Sequence, residues 1–67
     1  MTVFEDRIHA AIYWLQASLR EYGAGEFEAA EENLDPAIGF ADDASAQIGK
    51  TVLEIHTQAQ KEPRDAN

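Results

Sequence analysis

Between Arg20 and Lys50 the chain carries eight carboxylates, Glu21, Glu26, Glu28, Glu31, Glu32, Asp35, Asp42 and Asp43, and no base. Carboxylates can pass protons, hold a hard cation, or present fixed negative charge to a cationic surface. Proton chemistry needs further groups beside them. There is no nucleophile elbow, no phosphate-binding glycine loop and no H-E-x-x-H, and Gly23-Ala24-Gly25 has neither the length nor the preceding strand of a dinucleotide turn. The expectation is a protein that is not an enzyme and uses no cofactor.

Cation binding fares little better. Cysteine is absent and His9 and His56 lie far apart, so a metal would rest on carboxylates, and no D-x-D-x-D-G calcium loop is present. His9 with Glu5 on one helical face is half a metal site, and a surface ion pair is the simpler reading. His56, near the end of the second helix, is most simply a partner of the helix dipole. No metal is expected.

Charge presentation remains. On a helical projection Glu28, Glu31, Asp35 and Asp42 line up away from Leu34, Ala41 and Ile48 as an outward stripe. Eight charges over roughly 34 Å of helix give one per roughly 4 Å, near the ~3.4 Å spacing of one DNA strand and sparser than the ~1.7 Å of a duplex. Such a stripe keeps a small protein soluble, and it also suits the basic cleft of a protein that normally binds nucleic acid. With a net charge of -8 and five Lys and Arg in total, direct binding to nucleic acid or to an anionic membrane is not expected. The start Met-Thr-Val-Phe-Glu-Asp lacks the basic region and apolar core of a signal peptide, and the longest apolar run, Ala10 to Leu15, is far short of a membrane span. A cytoplasmic location is the expectation.

These residues must be positioned by helices. Thr2 and Glu5 form a capping-box pattern, and Ile8, Ile12, Leu15, Leu19 and Tyr22 recur at spacings of four and three, the stripe of a helix packing on another helix. Arg20 suits the negative end of the dipole, and Gly23 stands where a left-handed residue is wanted, so helix 1 is expected over about residues 3–22. Gly23-Ala24-Gly25 is a tight connection that turns the chain back on itself. A second stripe, Phe27, Leu34, Ile38, Ala41, Ser45, Ile48, Val52, Ile55 and Ala59, follows in helix 2 over about residues 26–60. Residues 62–67 have nothing to bury, and Pro63 stops a helix; a disordered tail is expected.

Pro36 allows two readings. Asp35-Pro36 is a good helix start, which would break the second helix and leave a short middle one. Alternatively the helix continues with a proline kink, at a cost of roughly 3 kcal/mol. The apolar phase passes through Pro36 unchanged, which favours the kinked or co-axial helix.

The expected fold is thus all-α, an antiparallel helical hairpin with a long second helix kinked or broken near Pro36. One hairpin does not bury everything. Roughly 20 Å of apolar stripe, including Val52 and Ile55, would overhang helix 1, and a chain of 67 residues without disulfide or metal sits near the lower limit for a stable single core. A homodimer in a four-helix arrangement would cover Ile8, Ile12, Leu15, Leu19, Leu34, Ile38, Ile48, Val52 and Ile55, with Gly39, Ala41, Ala44, Ser45, Ala46 and Gly49 allowing close approach. A monomeric three-helix bundle folded over Pro36 would bury the same residues. Trp14 lies a quarter-turn or more from the stripe of helix 1, beside Val3, Ala10 and Ala17, and Tyr13 projects farther still; Trp14 reads as core or dimer contact, and with Tyr13 as a partner-binding anchor if nothing covers it.

Gly25-Glu26-Phe27-Glu28-Ala29-Ala30 resembles the start of the second helix of a tetratricopeptide repeat, and Leu34-Asp35-Pro36 resembles that repeat's ending. The repeat needs about six more residues between them, and the first helix lacks its tryptophan-leucine-glycine spacing. In profile alone, as a short, cysteine-free, acidic, all-helical chain, the sequence looks like phage-encoded inhibitors of host machinery, the anti-CRISPR proteins among them. That resemblance implies stoichiometric binding to a larger host protein. The expected function is therefore regulatory or inhibitory binding to a protein partner, a nucleic-acid-binding protein being one such class, through the acidic stripe with Trp14 and Tyr13. The alternative is a structural subunit or assembly adaptor that completes a helical bundle with another chain.

Overall fold

The structure, a computed structural model, describes residues 1–61. Two helices, α1 (Val3–Gly23) and α2 (Phe27–Lys61), pack against each other as a hairpin, with no strand among the described residues. The tail expected from residue 62 lies outside them.

Local chemistry sets the start of α1 as its sequence suggests. The Thr2 hydroxyl accepts from the Glu5 amide at 3.1 Å, and the Thr2 amide donates to the Glu5 carboxylate at 2.8 Å, so both halves of the capping box are made.

The turn differs from expectation by two residues. Gly23 is helical, Ala24 caps in the αR region, and the positive φ, +82°, falls at Gly25. There the Gly25 amide donates to the Tyr22 carbonyl at 3.0 Å and the Glu26 amide to the Glu21 carbonyl at 2.8 Å. These are the paired bonds of a Schellman ending, whose left-handed position lies one residue beyond the cap, where glycine pays no Cβ penalty. Tyr22 and Phe27 bracket the turn with an edge-to-face contact, ring centroids 5.3 Å apart.

Of the two readings of Pro36, the structure contains the uninterrupted helix: α2 runs for 35 residues with Pro36 inside it. Proline brings no N–H for the Glu32 carbonyl, and packing must offset that loss. Pro36 is half-buried beside buried Ala37.

The packing seam is built from small residues. Ala11, Ala17 and Ser18 of α1 and Ala30, Ala37 and Ala44 of α2 are buried, and no large side chain is fully buried. Ala30, Ala37 and Ala44 recur every seven residues, one face of a helix in a coiled-coil-like contact. The Ser18 hydroxyl donates to the Ala30 carbonyl at 2.7 Å, a contact between helices that only short side chains on both sides permit. Arg7 near the start of α1 reaches Asp43 at 3.6 Å and lies 6.0 Å from the Phe40 ring centroid, a partly exposed contact between the helices at the end away from the turn. Small residues allow the helix axes to approach, whereas the branched side chains of the Ile8 to Tyr22 stripe would hold them apart. The intramolecular seam therefore lies on the Ala17 and Trp14 side of α1, where Trp14 is half-buried, and not on the Ile8 stripe.

At about 1.5 Å per residue the 21 residues of α1 span roughly 31 Å and the 35 of α2 roughly 52 Å. Residues 45–60 are all exposed, so this part of α2 stands clear of α1.

Two substitutions test this arrangement by thermal or urea unfolding. Ala37→Leu, at a position 2% exposed, is expected to destabilise the protein by about 1–3 kcal/mol through overpacking. Pro36→Ala restores a helical N–H and is expected to raise stability, by up to about 3 kcal/mol; an unchanged or lowered midpoint would show that the packing depends on the proline geometry.

Candidate functional site

Because the seam is built mainly of alanines, one stripe of larger apolar side chains on each helix is displaced to a common flank. At about 100° per residue, the Ile8 to Tyr22 stripe of α1 lies roughly a quarter-turn or somewhat more from its buried face, and the Leu34 to Ile55 stripe of α2 is centred roughly 50–70° from Ala30, Ala37 and Ala44. In an antiparallel pair both rotations lead to the same side of the hairpin. Leu15, Leu19 and Tyr22 from α1 accordingly meet Phe27 and Leu34 from α2 along an open groove of about 580 Å³, floored by Ser18 and Ala30.

This flank is uncovered. Ile12, Leu15, Leu34, Ile38, Ile48, Val52 and Ile55 are all exposed, Leu19 to 72%, and only Ile8 is half-buried. Beyond Ala44 the two faces of α2 diverge in chemistry. The face that met α1 becomes polar, with Gln47, Thr51, Glu54 and Gln58, at the point where α1 ends. The other continues apolar through Ile48, Val52, Ile55 and Ala59.

Glu28, Glu31, Asp35 and Asp42 are exposed on the side of α2 turned away from α1, about 180° from its alanine seam. The stripe borders the apolar flank, and Glu31 lines the groove itself. Of the eight carboxylates, Asp43 is paired with a cation among the described residues, by Arg7; the four of the stripe remain unpaired there, a continuous anionic edge.

The two expected partner-binding elements are not brought together. Tyr13 and Trp14 form an edge-to-face pair, centroids 5.2 Å apart, on α1 and away from the apolar flank, while the acidic stripe lies on the outer side of α2. Tyr13 is 60% exposed and Trp14 half-buried, so the aromatic pair forms a patch of its own. A shallower hollow edged by Pro36, Gly39, Phe40 and Asp43 lies on that other side of the hairpin.

Among the described residues no group of three or more His, Asp or Glu is placed to hold a metal ion, and no helix is long and apolar enough to cross a membrane. What sequence reasoning missed is the alanine heptad, whose signal was present in Ala30, Ala37 and Ala44 but was masked by the stronger stripe of large residues roughly 50–70° away. In comparison with known proteins, no family model matches this chain, and no curated protein or solved structure matches it significantly.

Proposed function

We propose that this chain is a small regulatory protein of the inhibitory kind that binds a larger protein stoichiometrically. In this reading it acts as a homodimer of hairpins, the apolar flank committed to the second copy and the acidic stripe turned to the partner. The observation that carries the proposal is the division of α2 into three lanes: an alanine lane already used by α1, an apolar lane left open, and a carboxylate lane beside it. An uncovered apolar lane of this length is an association surface. An unpaired anionic edge beside it steers a cationic partner and sets its orientation. A protein whose cleft normally takes a nucleic-acid strand is the partner class that such charge spacing fits.

The test combines the quadruple variant Glu28→Gln, Glu31→Gln, Asp35→Asn, Asp42→Asn with capture from lysate of the source organism and elution by salt. The wild type is expected to retain a partner at about 50 mM salt and release it by about 300 mM, and the variant to retain none. Equal retention by the variant would remove the acidic stripe from the account. A partner held at high salt by both proteins would instead mean that the apolar lane recognises a different chain, as in an assembly adaptor.

A further inference from the structure

We propose that the apolar lane of α2 is covered by the same lane of a second copy, in antiparallel register about a two-fold axis near Ala46 and Gln47, so that the C-terminal overhang of each chain lies along the hairpin of the other. The proposal deepens the homodimer reading above by naming the occupant and its register.

Three observations point to a second copy. The first is length. The open lane runs from Leu34 to Ala59 without interruption past the end of α1, so its occupant is a helix of more than three heptads. Among the described residues α2 alone is that long. The second is apolar exposure: along the lane Ile38, Val52 and Ile55 stand 57%, 45% and 61% exposed, an apolar strip far longer than the scattered surface residues of a monomer.

The third is the order of large and small residues. Leu34, Ile38, Ala41, Ser45, Ile48, Val52, Ile55 and Ala59 alternate at spacings of four and three, the a and d positions of a heptad. In the antiparallel register Leu34 meets Ala59, Ile38 meets Ile55, Ala41 meets Val52 and Ser45 meets Ile48 of the other copy. Each small residue faces a larger one, and layer volumes are evened. A parallel pairing sets Ala41 on Ala41 and Ser45 on Ser45, leaving thin layers between thick ones. The flanking positions agree: the antiparallel register places Asp42 across from Gly49 and Asp35 across from His56, so no carboxylate of these positions confronts another.

The register also accounts for the hairpin's unequal arms. The segment over residues 47–60 of one copy lies along residues 33–46 of the other copy's α2, on the side where Ile8, Ile12 and Leu15 of its α1 are exposed or half-buried. The two α1 helices then follow one another end to end across the two-fold axis, each covering its own half of the rod.

The absence of native cysteine makes the test direct. Sedimentation equilibrium of the purified wild-type chain is expected to give twice the 7.4 kDa chain mass. Single variants Ala41→Cys and Val52→Cys, mixed and oxidised, are expected to form the mixed disulfide well in excess of either homodisulfide. Ile12→Cys is expected to form none, since this register keeps the two Ile12 positions about 30 Å apart at 1.5 Å per residue. A one-chain mass would overturn the proposal. So would a dimer that links Ala41→Cys to itself, links Ile12→Cys to itself, or yields no disulfide between the 41 and 52 variants. None of these outcomes bears on partner capture by the acidic stripe, which is read separately.

Discussion

The distance between the two helices is the constraint on which the rest depends. Ala11, Ala17 and Ser18 meeting Ala30, Ala37 and Ala44 draw the backbones close enough for the Ser18 hydroxyl to reach a carbonyl of the facing helix at 2.7 Å. The residues buried at that contact are alanines and a serine. The Ile8 to Tyr22 stripe of α1 and the Leu34 to Ile55 stripe of α2 are therefore left outside the chain's own seam and share one flank. A buried methyl contributes only about 0.8 kcal/mol, so an alanine seam gives the hairpin its geometry while leaving most of the available hydrophobic stabilisation unused.

From this separation of roles follows a reading of α2 as a three-sided helix. One side specifies the intramolecular fold and ends in polar residues where α1 ends. A second side carries apolar side chains along nearly the whole helix and has no intramolecular use beyond the shallow groove near the turn. The third carries Glu28, Glu31, Asp35 and Asp42. A chain of this size rarely supports a stable core alone, and association is one of the few remedies open to a sequence with no cysteine and no metal-binding cluster among its described residues. The same economy leaves the carboxylate side free to meet something else.

Much of the fold was legible because its signals are local. The Thr2 and Glu5 spacing is a capping box in both sequence and structure, and the four-three spacing that passes Pro36 in phase corresponds to a helix that passes it without a break. What was illegible is the choice between two apolar faces on each helix. Periodicity weights large residues, so the Ile8 to Tyr22 stripe stood out as the packing surface, whereas closeness of approach favours small ones and placed the seam beside Trp14. The left-handed glycine was misplaced for a similar reason: Gly23 and Gly25 are equally able to adopt a positive φ, and the hydrogen bonds from Gly25 and Glu26 back to Tyr22 and Glu21 decide between them. The candidate site was legible as parts, four carboxylates and two aromatics, but not as an arrangement, because which side of α2 faces α1 determines that the acids and the Tyr13–Trp14 pair lie apart.

Whether the Ile8 to Tyr22 and Leu34 to Ile55 stripes serve association rather than the chain's own core is read by following helical circular dichroism through thermal unfolding over a hundredfold range of protein concentration. If the stripes associate, the midpoint is expected to rise with concentration and helix to be lost on dilution, since association stabilises only the folded chain. A midpoint independent of concentration, with full helicity retained at the lowest concentration, would show that the alanine seam alone sustains the fold and would contradict association through the stripes.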